Sequence, residues 1–133
     1  MSDELTAFMQ ETMPFAALMG AEAESATPEE VVLRLAWDAE RCTAGGVLHG
    51  GALMALADTA GAWCAFLNVP QGASTTTVES KTNFLRAVRS GMVEATARPL
   101  HVGRSFIVVD TELRDDAGKL VARVTQTQAV LSP

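Results

Sequence analysis

Two glycines, Gly50 and Gly51, open a segment from Gly51 to Leu67 that is rich in Ala, Leu and Met and reads as a helix. The first amides of a helix have no carbonyl to meet, and the helix dipole adds partial positive charge at the same end. A glycine there lets a ligand approach the backbone closely, so the turn Gly45-Gly46-Val47-Leu48-His49-Gly50-Gly51 is a place to hold a developing oxyanion. Further along, Asp58 interrupts the run Ala52-Leu53-Met54-Ala55-Leu56-Ala57, which has no other polar side chain. A carboxylate in such surroundings is costly unless it is hydrogen-bonded, paired at a subunit contact, or wanted for chemistry.

Spacing restricts how these groups can cooperate. Gly50 and Asp58 lie eight residues apart, roughly 12 Å along a helix axis. One reacting carbonyl cannot touch both. If both act on one bond they come from different copies of the chain, which implies a dimer with two composite sites.

The remaining pattern must position this helix. Residues 1–20 form an N-terminal helical segment, expected as two short helices because Pro14 interrupts the helical spacing of Leu5, Phe8, Met9, Met13, Phe15, Leu18 and Met19. From Val31 the chain alternates, with Val31, Leu33, Leu35 and Trp37 on one side, as a half-buried strand does. Arg41 to Gly46 reads as a loop. After Pro70-Gln71-Gly72 come β-rich runs at Ser74 to Leu85, Met92 to Leu100 and Ser105 to Leu131, the last folded back at Asp115-Asp116-Ala117-Gly118. An α+β architecture follows, with five to six antiparallel strands curled around one central helix that is apolar nearly all round and so should be wrapped by other structure. The 133 residues are expected to make a single domain, 1–133.

Composition excludes several classes. A formal charge of -6 and the lack of a basic stripe argue against nucleic acid as a partner. The stretch Gly50 to Leu67 is broken by Asp58 and Thr59, so no membrane span is expected. Cys42 and Cys64 have no metal-ligand spacing, which predicts two free thiols, no metal and, with the acidic start Met-Ser-Asp-Glu-Leu, a cytoplasmic setting.

The run Gly46-Val47-Leu48-His49-Gly50-Gly51, followed by Leu56-Ala57-Asp58-Thr59-Ala60, resembles the hotdog-fold acyl-CoA thioesterases of the phenylacetate-pathway (PaaI-like) type. The likeness extends through Thr77-Val78-Glu79-Ser80-Lys81-Thr82-Asn83-Phe84-Leu85-Arg86 and Val102-Gly103-Arg104-Ser105, and covers about Val31 to Leu131. It implies hydrolysis of an acyl- or aryl-CoA thioester without a cofactor. The Gly50 amide would polarise the carbonyl, and Asp58 of the facing subunit would activate a water or attack directly. Thr77 would hold the water beside the acid, unless it is an ordinary strand Thr, and His49 would shape the turn or orient the substrate. Thr43 stands where the family usually has Asn or Gln six residues before the motif His, and lacks the amide donor. Gly51, Asn83, Arg86 and the Gly103-Arg104-Ser105 turn would meet the substrate and its CoA phosphates, though a solvated arginine is the ordinary alternative. The resemblance implies a homodimer as the minimal unit, or a homotetramer built as a dimer of dimers. A non-catalytic acyl-CoA-binding module is the alternative, and a hydratase ranks behind it because neither His pairs with Asp58 on one loop.

Overall fold

The computed structural model describes residues 2–133. The N-terminal segment forms α1 (Asp3–Thr12) and α2 (Pro14–Met19), with Pro14 at the first turn of the second helix and Gly20 ending it at φ +80°. Two short strands follow, β1 (Glu22–Ala26) and β2 (Val31–Ala36). A loop then leads into α3 (Gly50–Phe66), and the rest of the chain is β3 (Ser74–Phe84), β4 (Met92–Val102), β5 (Phe106–Arg114) and β6 (Leu120–Leu131).

All six strands form one antiparallel sheet in the order β1-β2-β4-β5-β6-β3, with α3 packed against β2, β3, β4, β5 and β6. This is the hotdog arrangement, a sheet curled about one long helix. The alternation read at Val31 holds, since Val31, Leu33 and Leu35 are fully buried. The hairpin between β5 and β6 closes as its sequence requires: Gly118 takes φ +78°, and the Asp115 carboxylate accepts from the amides of Ala117 and Lys119, both at 3.0 Å.

Two features depart from the sequence reading. Glu22–Ala26 is a strand although Glu-Ala-Glu-Ser-Ala carries no β-branched or aromatic residue; it is held by pairing with β2 and by α1, whose Thr6 hydroxyl accepts from the Ala23 amide at 2.9 Å. The central helix is also not wrapped all round. Leu53, Leu56, Ala57, Ala60, Gly61, Trp63, Cys64 and Ala65 are buried, but Gly51, Met54, Asp58 and Phe66 are exposed. Their spacing of three, four and eight residues draws one stripe along the helix that the sheet does not cover.

Candidate active site

The turn before α3 is tied down from several sides. The Trp37 indole donates to the Gly46 carbonyl at 3.0 Å, the Thr43 amide to the Val47 carbonyl at 2.8 Å, and the His49 amide to the Arg41 carbonyl at 2.9 Å. Gly45 and Gly46 both adopt positive φ, +85° and +74°, where a side chain would be strained. Trp37 was placed by the sequence at the end of a strand; its role as the brace of the glycine turn is visible only in three dimensions.

The first-turn amides of α3 can be accounted for one by one. Ala52 and Leu53 donate to the His49 carbonyl at 2.9 and 3.3 Å, and Gly51 donates to the His49 ring at Nδ1, 2.7 Å away. That leaves the Gly50 amide as the one first-turn N–H with no acceptor among the described residues. His49 is therefore the N-cap of α3. A neutral imidazole whose Nδ1 accepts must carry its proton on Nε2, so its lone pair is spent on the helix. A side chain at Gly51 would collide with that ring, its Cβ lying 2.8 Å from Nδ1.

Two turns further on, Asp58 stands exposed on the stripe and is not buried among apolar groups. The sequence reading missed this because it saw the neighbours along the helix and not the open side of the sheet. Its Oδ1 accepts two hydrogen bonds, from the Thr77 hydroxyl on β3 at 3.0 Å and from Gln126 Nε2 on β6 at 3.1 Å. Thr77 Oγ1 accepts in turn from Gln128 Nε2 at 2.6 Å. Gln126 and Gln128 are both fully buried, and sequence reasoning did not single them out. The strand parity that turns Ala122 and Val124 inward does the same for these two amides, and that was the available signal.

The remaining expected site residues do not gather in one place. Thr43, Gly50 and Arg86 line one cavity of about 420 Å³ together with Phe84, which the sequence did not single out, and a Cβ on Gly50 would lie 3.0 Å from the Phe84 ring. Gly51 instead lies on the other side of the turn, beside Arg41, His49 and Ala55. Asn83, one residue before that phenylalanine, accepts from Lys81 Nζ at 3.2 Å. Gly103, Arg104 and Ser105 form the turn between β4 and β5, closed by the Gly103 amide donating to the Phe106 carbonyl at 2.9 Å. Register places this turn at the opposite end of the sheet: Phe106 pairs with Ala129 beside Thr76, whereas Phe84 pairs with Ala122 beside Leu113. Arg86 and Arg104 of one chain thus do not serve one set of phosphates.

A second cavity, about 470 Å³, lies between α1 and the second half of α3, lined by Phe8, Met13, Ala62, Trp63 and Phe66 among others, with no charged side chain. The Phe8 and Trp63 rings meet there at 6.1 Å between centroids. Neither cysteine is disulfide-bonded, and burial, reinforced by Glu29, pushes the Cys64 thiol up to about 11, which removes it as a nucleophile. No described helix is long and apolar enough to cross a membrane, and no group of three or more His, Cys, Asp and Glu gathers among the described residues.

A helix in a curled antiparallel sheet, with a glycine turn at its start and a carboxylate on its uncovered stripe, defines a hotdog protein of the thioesterase class. The family model described as thioesterase superfamily matches residues 45–122, and the chain belongs to that family. Protein PA1618 of Pseudomonas aeruginosa is 34% identical over 118 residues, 86% of this chain and 81% of its own. The solved structure of a mutant of it, described as a thioesterase, superposes with a TM-score of 0.89 at 31% identity, covering 98% of this chain and 94% of that one. A relative from Vibrio cholerae is 41% identical over 85 residues, 64% of this chain and 57% of its own length. The 1,4-dihydroxy-2-naphthoyl-CoA hydrolase of Escherichia coli is 33% identical over 86 residues, 65% of this chain and 63% of its own. The chain thus spans less than two thirds of the last two relatives.

Proposed function

We propose that the protein hydrolyses an acyl- or aryl-CoA thioester in a site shared by two copies of the chain. The observation that carries this reading is the division of labour along α3: one unpartnered amide at Gly50 and one carboxylate, Asp58, with Oδ2 left free of any described partner. They sit on one helix roughly 12 Å apart. A second copy laid against the exposed stripe supplies the missing half.

That second copy has a surface to use. β3 is an edge strand of 11 residues with no strand paired to its outer edge among the described residues, and Val78, Phe84 and Leu85 on and just beyond it are more than half exposed. A long edge with apolar side chains is a template for pairing with another chain. A closed twofold dimer satisfies both copies at once, and a dimer of dimers extends the same logic.

In the shared site the Gly50 amide of one copy donates to the thioester carbonyl oxygen, where negative charge develops. Asp58 of the other copy takes a proton from the attacking water, or attacks the carbonyl carbon to form an anhydride that water then opens. In either route the C–S bond breaks and CoA leaves as a thiolate; a thiol pKa of about 8.5 means the leaving group needs little acid assistance. The acyl group fits the uncharged cavity that begins at Ala62, one turn past Asp58. The CoA limb then runs toward the facing copy's Gly50 cavity, where Arg86 meets phosphate. An aryl group or a medium-length hydrocarbon suits this volume and lining.

Thiol release from a series of acetyl-, hexanoyl-, decanoyl- and benzoyl-CoA, run on parent and Asp58→Asn protein, tests the reading. Loss of the acid is expected to lower kcat by roughly 10²- to 10⁴-fold with the fold intact. Parental rates in Asp58→Asn would remove the assignment.

A further inference from the structure

We propose that Gln126 and Gln128 are positioning residues for Asp58: with Thr77 they clamp its Oδ1 and reserve Oδ2 as the oxygen that meets the water or the thioester carbon. This rests on the reading of Asp58 as the catalytic carboxylate, and adds a device that the reading does not need.

A buried amide has two donors and two acceptor sites to satisfy, and one left without partners destabilises the fold. Gln126 and Gln128 are completely buried, yet each spends its amino group on the carboxylate network and leaves its Oε1 without a partner among the described residues. Leucine at either position would complete the apolar core at lower cost. Departures of this kind from what stability favours concentrate at functional sites.

The helix makes room for the same amide. Gly61 faces Gln126, and a Cβ built on Gly61 would overlap the Gln126 amide. Glycine inside a helix costs about 1 kcal/mol relative to alanine. Both sides of this contact therefore forgo stability in order to place one amide beneath Asp58.

The donor directions are fixed by chemistry. An ionised carboxylate can only accept, so the group Gln126 offers it must be the amino group. Thr77 has a single proton and gives it to Asp58 Oδ1. What Gln128 offers to Thr77 must then also be its amino group. The whole chain of bonds points one way, toward Oδ1. Thr77 cannot donate to a water while it holds this bond, which leaves Oδ2 as the carboxylate oxygen free to meet the water or the thioester carbon. Two donors on one oxygen also hold the carboxylate plane, and a displacement of about 1 Å at a reacting group is enough to cost roughly a hundredfold in rate.

The test compares parent, Asp58→Asn, Gln126→Leu, Gln128→Leu and Gly61→Ala as full-length protein. kcat and KM are taken from thiol release on the best CoA thioester, and melting temperature from thermal denaturation. The clamp predicts that Gln126→Leu and Gln128→Leu each lower kcat roughly tenfold to a hundredfold with KM nearly unchanged, while melting temperature holds or rises. Gly61→Ala should reproduce the loss of kcat without altering the amide itself. Gln126→Met, close in length and shape, replaces Gln126→Leu if that variant does not fold. Parental kcat in the glutamine variants overturns the proposal, as does a fall in kcat that tracks a fall in melting temperature and a rise in KM, which is the signature of packing alone. The two levels separate cleanly. If Asp58→Asn works at the parental rate, the thioesterase reading fails; if it is inactive while the glutamine variants are not, only the clamp fails.

Discussion

Replacing His49 separates two roles that a motif histidine can play. Its Nδ1 accepts the Gly51 amide at 2.7 Å, and its carbonyl accepts from Ala52 and Leu53, so the residue caps α3 with both backbone and side chain. His49→Ala removes only the side-chain bond. Loss of an N-cap side chain costs about 1 kcal/mol, within a range of roughly 0.5–2. For a domain of this size that is a fall in melting temperature of about 3–5 °C. His49→Asn restores a side-chain oxygen able to accept from the same turn, and should recover most of the loss. The kinetic expectation differs from that for a general base, whose removal costs roughly 10²- to 10⁴-fold. The ring nitrogen that could accept a proton is already bonded to the helix, so His49→Asn is expected to keep kcat within a few-fold of the parent. Thermal denaturation and thiol release on the same preparations measure both quantities. A hundredfold loss of kcat in a well-folded His49→Asn protein would refute the capping account.

Two further outcomes follow from the structure. Ala62→Phe intrudes on the 470 Å³ cavity, so kcat/KM for benzoyl- and decanoyl-CoA should fall relative to acetyl-CoA; an unchanged preference across that series would place the acyl group elsewhere. Glu94 is held above the usual carboxylate range, first by burial and then by its hydrogen bond and repulsion with Glu24, against which Arg34 pulls down. A raised folded pKa favours the protonated form, so this carboxyl supports the fold at acid pH and the support is lost as pH rises through the folded value. Glu94→Gln should accordingly raise the melting temperature more at pH 7.5 than at pH 4, and the reverse order would contradict the shift.

Much of this was legible in the residues. Pro14 divided the first two helices, the alternation at Val31 gave a half-buried strand, and the lone polar Asp58 in an apolar run marked the carboxylate. Other features depend on what the chain brings together from a distance. Glu22–Ala26 has no strand-forming composition and is a strand only because β2 and α1 hold it. The exposure of Asp58 reflects where the sheet ends, which local apolarity cannot express. Arg86 and Gly103-Arg104-Ser105 look equally suited to phosphate in sequence, and only the register of β3, β5 and β6 sets them at opposite ends. Gln126 and Gln128 had the right parity to face inward, but their target lies 68 residues away for one and 51 for the other.

The central claim is that one copy lends its Gly50 amide and another its Asp58. Mixing Asp58→Asn subunits with Gly50→Val subunits, whose added side chain meets Phe84 and masks the amide, gives heterodimers with one intact site of the two. In purified, differently tagged heterodimers the account predicts thiol release near half the parental rate per dimer, from two parents that are each inactive. Heterodimers as inactive as both parents would contradict it.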